Sequence, residues 1–98
     1  MNLIPIKRFA LANNYPNPFN PETTIEFSLD KANDVTLNVY SITGQLVRTL
    51  INHSMAAGDH TVNFNGRDDL GQALSSGVYF YQLQSGEQVA TNKMILMK

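Results

Sequence analysis

The sequence predicts an all-β antiparallel sandwich of six to seven strands. Two observations carry this. Short segments of strict apolar/polar alternation recur along the chain, and turn residues separate them at regular intervals. A third supports it: no stretch has the sustained apolar spacing of a long amphipathic helix.

Thr23 to Leu29 alternates, with Ile25, Phe27 and Leu29 opposing Thr24, Glu26 and Ser28. Asp34 to Tyr40 repeats the pattern, with Val35, Leu37 and Val39 on one face. A period of two places each set on one side of a sheet. Asp30-Lys31-Ala32-Asn33 between them reads as a polar hairpin loop. Ser41-Ile42-Thr43-Gly44 reads as the next turn, with Gly44 suited to a positive φ. Gln45 to Ile51 follows as a strand with imperfect alternation; Leu46, Val47, Leu50 and Ile51 also fit a short helix. Asn52 to Ala57 reads as irregular and places His53 in a turn, and Gly58 closes it.

Asp59 to Phe64 alternates again, with His60, Val62 and Phe64 on one face, and Asn65-Gly66 is a turn signal. Arg67 to Ser76 is a polar loop with Leu74 as its inward anchor. Val78 to Gln84 is rich in β-branched and aromatic residues, as suits a central strand covered on both faces. Ser85-Gly86-Glu87 turns the chain into a last strand, Gln88 to Met97. The expected core is Ile25, Phe27, Val35, Leu37, Val39, Val62, Phe64, Tyr79, Tyr81 and Leu83.

The N-terminal part differs. Three prolines, Pro16, Pro18 and Pro21, fall within six residues, so this stretch is no central strand. The expected division is an extended proline-rich segment, residues 1–22, packing on a sandwich of residues 23–98, with Tyr15 and Phe19 buried as its pins. Asn13, Asn14, Asn17 and Asn20 are expected to satisfy local backbone groups.

Composition narrows the function. The 98 residues suit one domain, and the net charge of −1 offers no basic face for nucleic acid. Cysteine is absent, which excludes disulfides and thiolate sites. Met1 to Ala10 carries Pro5, Lys7 and Arg8 where a signal peptide needs an apolar core, and no run is long enough for a transmembrane helix, so no membrane insertion is expected. An export signal, if used, lies on a longer precursor. His53 and His60 are the only histidines, too few for a zinc site without cysteine. Asp68-Asp69 lacks the spacing of a calcium loop, and Ser75-Ser76-Gly77 is no nucleophile elbow. No catalytic residue, metal or cofactor is expected. Tyr79, Phe80 and Tyr81 would serve a carbohydrate-binding or adhesion module only if they formed an exposed platform; core packing is the default for such a stripe.

A set of landmarks occurs in order: Asn14-Tyr15-Pro16-Asn17-Pro18-Phe19-Asn20-Pro21, Val39-Tyr40-Ser41-Ile42-Thr43-Gly44-Gln45-Leu46-Val47-Arg48-Thr49-Leu50, Ala57-Gly58-Asp59-His60, Asn65-Gly66-Arg67-Asp68, Ser76-Gly77-Val78-Tyr79-Phe80-Tyr81 and Lys93-Met94-Ile95-Leu96-Met97-Lys98. The series resembles the type A C-terminal sorting domains of the type IX (Por) secretion system. It also resembles the related immunoglobulin-like domain of the flagellar hook-capping protein. The resemblance spans about residues 9–98 and departs at Phe64-Asn65-Gly66, where such domains often carry Trp-Asp-Gly.

The resemblance implies an immunoglobulin-like fold and a sorting role. An upstream passenger would be exported through the periplasm to the cell surface or extracellular space. The partners would be an outer-membrane translocon and its surface protease. It places the sorting signal toward the C-terminal end, matching Gly86 to Lys98 here, with Lys93, Met94, Ile95, Leu96, Met97 and Lys98 as the candidate signal residues. A terminal strand of this kind is expected to be an edge open to strand addition, with Lys93 and Lys98 as charge gates. Lys98 directly after an apolar strand fits that role better than the second reading, a structural domain of an extracellular assembly.

Overall fold

The computed structural model describes residues 8–98. The expected division at residue 22 therefore falls partly, in residues 1–7, outside the described residues. Seven strands form two sheets: β1 (Ala10–Leu11), β2 (Thr23–Leu29), β3 (Asn33–Ser41), β4 (Leu46–Met55), β5 (Gly58–Phe64), β6 (Gly77–Ser85) and β7 (Gln88–Leu96). One sheet runs β1-β2-β5, the other β4-β3-β6-β7, and all strand pairs are antiparallel. No helix occurs among the described residues.

Alternation decides what lies between the sheets. Ile25, Phe27, Val35, Leu37, Val39, Phe64, Tyr79, Tyr81 and Leu83 are buried as expected, together with Leu29, Ile51, Met94 and Leu96. Val62 points inward but is only half-buried, because β5 is the outer strand of the smaller sheet. β6 is interior to its sheet, yet no described element covers its outer face, and Val78, Phe80 and Gln82 there are half-buried. The expectation of a strand covered on both faces is thus corrected to one face.

Two expected connections also change. Residues 30–32 join β2 to β3 in the opposite sheet, so they cross between layers and close no hairpin. β4 runs as far as Met55, so Asn52 to Met55 is strand and His53 lies within it. The register explains the uneven pattern. Leu37 faces Ile51 while Asn38 faces Thr49, and Val39 faces Arg48 while Tyr40 faces Leu46. Leu50 and Val47 are the extra residues of two bulges, and both pack against the core. The doubled apolar pairs that fit a short helix are bulged strand.

The two tight hairpins follow their turn residues. Ile42-Thr43-Gly44 is a three-residue loop in which Gly44, at φ 89°, supplies the left-handed position. Tyr79 sits near the start of β6, and its hydroxyl donates to the Ser75 carbonyl at 2.7 Å. This is the tyrosine-corner arrangement of immunoglobulin-like sandwiches.

Candidate functional site

β7 is the outer strand of the larger sheet, and its two halves have different neighbours. The chain before β2 returns along this side as a strap. Asn17 Oδ1 accepts the Ile95 N–H at 3.0 Å. The Phe19 N–H donates to the Ile95 carbonyl at 2.9 Å, and the Met97 N–H donates to the Phe19 carbonyl at 3.0 Å. Phe19 thus forms a parallel bridge with Leu96.

The strap is fixed by burial as well as by hydrogen bonds. The Phe19 side chain is only 2% exposed and lies 6.0 Å from the Phe64 ring, centroid to centroid. Gly66 seals the same corner. Its φ is 73°, and a Cβ there would lie 3.0 Å from the Pro21 carbonyl oxygen and 3.8 Å from Leu96. Nearer the N-terminus, the Tyr81 hydroxyl donates to the Ala12 carbonyl at 2.8 Å, and Asn92 Nδ2 reaches the Leu11 and Ala12 carbonyls at 3.1 Å. Burial raises the Tyr81 pKa, and the Asn92 hydrogen bond offsets part of that.

Tyr15 does not pin the strap. It is 54% exposed. Its backbone bridges Thr24, so its side chain shares the outer face with Glu26 and donates a 2.9 Å hydrogen bond to Glu26 Oε1. That contact raises the Tyr15 pKa. Asn14 occupies the inward position instead, bonding the Thr23 hydroxyl at 3.0 Å and the Pro16 carbonyl at 3.3 Å. Asn14 therefore serves its local backbone as expected, whereas Asn17 serves a strand at the far end of the chain.

The six C-terminal residues split by face. Met94 and Leu96 are buried in the core. Lys93 projects outward beside Phe80, its cross-strand partner. Ile95 is half-buried, Met97 is exposed, and the Lys98 N–H donates to Ser76 Oγ at 3.0 Å. The expected open terminal edge is corrected: Asn17 and Phe19 cover Ile95 to Met97. In the stretch before it, the Asn92 side chain reaches the Leu11 and Ala12 carbonyls, but among the described residues none pairs with the outward backbone groups of Val89, Thr91 and Lys93. Phe19 is buried against the sandwich as expected; its pairing with β7 was not foreseen, since a buried phenylalanine between prolines has no periodicity to betray its direction.

The other candidates hold structure together. Asp68 Oδ1 accepts the Leu70 and Gln72 N–H groups at 2.9 Å, and Asp69 Oδ1 accepts the Thr49 N–H at 3.1 Å. The His60 ring stacks on Phe27 at 5.3 Å and donates from Nε2 to the Ala56 carbonyl. His53 donates from Nδ1 to the Ser54 carbonyl. Tyr79 and Tyr81 are core residues, leaving Phe80 and Tyr40 as a half-buried cross-strand pair on the outer face.

Comparison with known proteins gives three kinds of result. The family model described as "Secretion system C-terminal sorting domain" matches residues 13–97. No curated protein matches significantly. Among solved structures, dimeric latent PorU from Porphyromonas gingivalis is similar at 17% identity and a TM-score of 0.73, covering 99% of this chain and 10% of that one. FlgD from P. aeruginosa is similar at 23% identity and a TM-score of 0.61, covering 76% of this chain and 58% of that one. PorZ, a surface component of the type-IX secretion system of P. gingivalis, is similar at 18% identity and a TM-score of 0.60, covering 88% and 11%. At these identities the likeness establishes the fold. This chain spans between 10% and 58% of the three similar structures.

Proposed function

The chain belongs to the family of C-terminal sorting domains of the Por, or type IX, secretion system, and from that premise we propose that it delivers an attached passenger across the outer membrane to the cell surface. The observation that carries this reading is the family match, which begins on the proline-rich strap and ends on β7. As a sorting domain it interacts with secretion machinery and is exported as part of a longer precursor. The finer reading makes the partners an outer-membrane translocon and a surface protease that releases the passenger. The domain acts as a signal and scaffold, without catalysis of its own. In this reading the proline-rich segment, described from residue 8 to 22, packs on the sandwich, and residues 23–98 are the sorting domain proper.

We place the sorting information at the C-terminal end, in β7 and its extension Lys93 to Lys98. The half-buried and exposed members of that segment alternate with Met94 and Leu96, whose burial holds the strand in place. Recognition therefore falls on what β7 leaves outside.

The test fuses residues 1–98 to a periplasm-targeted reporter in a host with the type IX system. The reporter should reach the cell surface. Adding a short polar tail after Lys98, which removes no core contact, should lower delivery while protease resistance stays unchanged. A folded fusion retained in the periplasm would overturn the sorting reading and favour a structural module.

A further inference from the structure

We propose that β7 offers the secretion machinery a specific docking edge, the backbone of Val89 to Lys93, onto which one extended segment of a protein partner adds as a further strand. The inference rests on the sorting reading and names the surface and the kind of partner it takes.

The argument begins with the direction of the backbone groups. In an antiparallel ladder both polar groups of a residue face the same neighbour, and successive residues alternate. The Ile95 N–H and C=O both engage the strap, so they point away from β6. By the same alternation, Val89, Thr91 and Lys93 direct their N–H and C=O groups outward. At Ile95 and Met97 the strap satisfies the outward donors; at 89, 91 and 93 none of the described residues does. The open stretch is long enough for a short ladder and ends where the strap begins.

Its side chains suit a protein strand. On the outer face Val89 is 52% exposed. Thr91 is held by Gln82 Nε2 at 3.1 Å. Lys93 forms no ion pair among the described residues. A partner strand with an apolar residue near Val89 and a carboxylate near Lys93 matches that order, with backbone hydrogen bonds supplying the affinity. The outer edge of β5 is open too, but it belongs to the other sheet and does not continue into Lys93 to Lys98.

Proline provides the test, since it removes a donor and is tolerated where that donor faces off the sheet. In the reporter fusion, Thr91→Pro and Val89→Pro each remove one outward N–H and leave the β6 ladder its donors. Each should cut surface delivery about fivefold to tenfold, the effect of one net hydrogen bond. Protease resistance of the domain should persist. Asn17→Ala, which exposes the Ile95 N–H instead, should leave delivery unchanged or raise it. Folded proline variants that deliver normally would overturn the docking edge while leaving the sorting reading intact. Failure of the unmodified fusion would sink the sorting reading itself. If both proline variants unfold, amide exchange on the unmodified domain decides. With outer-membrane vesicles from a type IX host, protection should appear at residues 89, 91 and 93, and its absence there would refute the edge.

Discussion

The two open sides of the sandwich are closed by different means. On the β7 side, the Phe19 backbone pairs with Ile95 and Met97, asparagine side chains bridge residues 78 to 81 positions apart, and one anchor is buried in the core. On the β4 side, closure combines one backbone hydrogen bond, Asp69 N–H to the Val47 carbonyl at 3.0 Å, with polar side chains nearer in sequence. Arg48 bonds Asn65 and the Arg67 carbonyl, and its Nε lies 3.7 Å from Asp69. These side-chain contacts are solvent-exposed. Both sides use amide hydrogen bonds, but the first joins distant segments around a buried anchor, and the second joins a loop to a neighbouring strand with exposed polar side chains. Burial sets the difference in worth, because exposed ion pairs contribute little and buried apolar groups contribute much.

That contrast can be broken most severely at Phe19. Phe19→Ala empties a core position beside Phe64 and unpins the strap, and should cost about 3–5 kcal/mol. Urea unfolding of the isolated domain measures it, and a small domain has only about 5–15 kcal/mol in total. If Phe19→Ala and an exposed-side variant cost the same, the two sides do not differ as described. Gly66→Ala comes next, at about 1–3 kcal/mol. Its positive φ and the Pro21 carbonyl 3.0 Å from the added Cβ both oppose the change.

Tyr81→Phe removes one hydrogen bond to Ala12 without changing the ring, and should cost about 1 kcal/mol. It also supplies a pH test. Burial raises the Tyr81 pKa above its usual 10.0, so the folded state keeps the proton longer than the unfolded chain does. Stability is therefore intact below pH 10.0 and falls as pH climbs through the raised value. Tyr81→Phe should flatten that alkaline decline in a series of thermal melts, and an unchanged decline would assign it to other groups. Asp69→Ala removes the exposed Arg48 pair and the exposed Thr49 N–H bond together and should cost no more than about 1 kcal/mol, with the ion-pair share shrinking in high salt.

Legibility in the sequence follows the same division. The period-two strands β2, β3, β5 and β6 could be read because each has one buried face and an unbroken register. β4 could not be read cleanly, because Val47 and Leu50 each shift the alternation by one residue. The strap was half legible. Proline marked it as extended, but the choice of Phe19 over Tyr15 as anchor depends on a bridge to Thr24 that turns Tyr15 outward. The terminal segment was legible as a strand and illegible as an edge, since its cover comes from about 78 residues upstream.

The parallel bridge between Phe19 and Leu96 also orders events in time. Phe19 comes early in the sequence, but the amide and carbonyl groups that receive it sit on Ile95 and Met97. Contacts so far apart in sequence pay for a long loop before they form. Until Ile95 to Met97 are in place, Phe19 lacks its partner strand and Gly66 has no Leu96 to pack against. The seam between strap and terminal strand is thus a late-closing one: it can form only once β7 has taken its place beside β6.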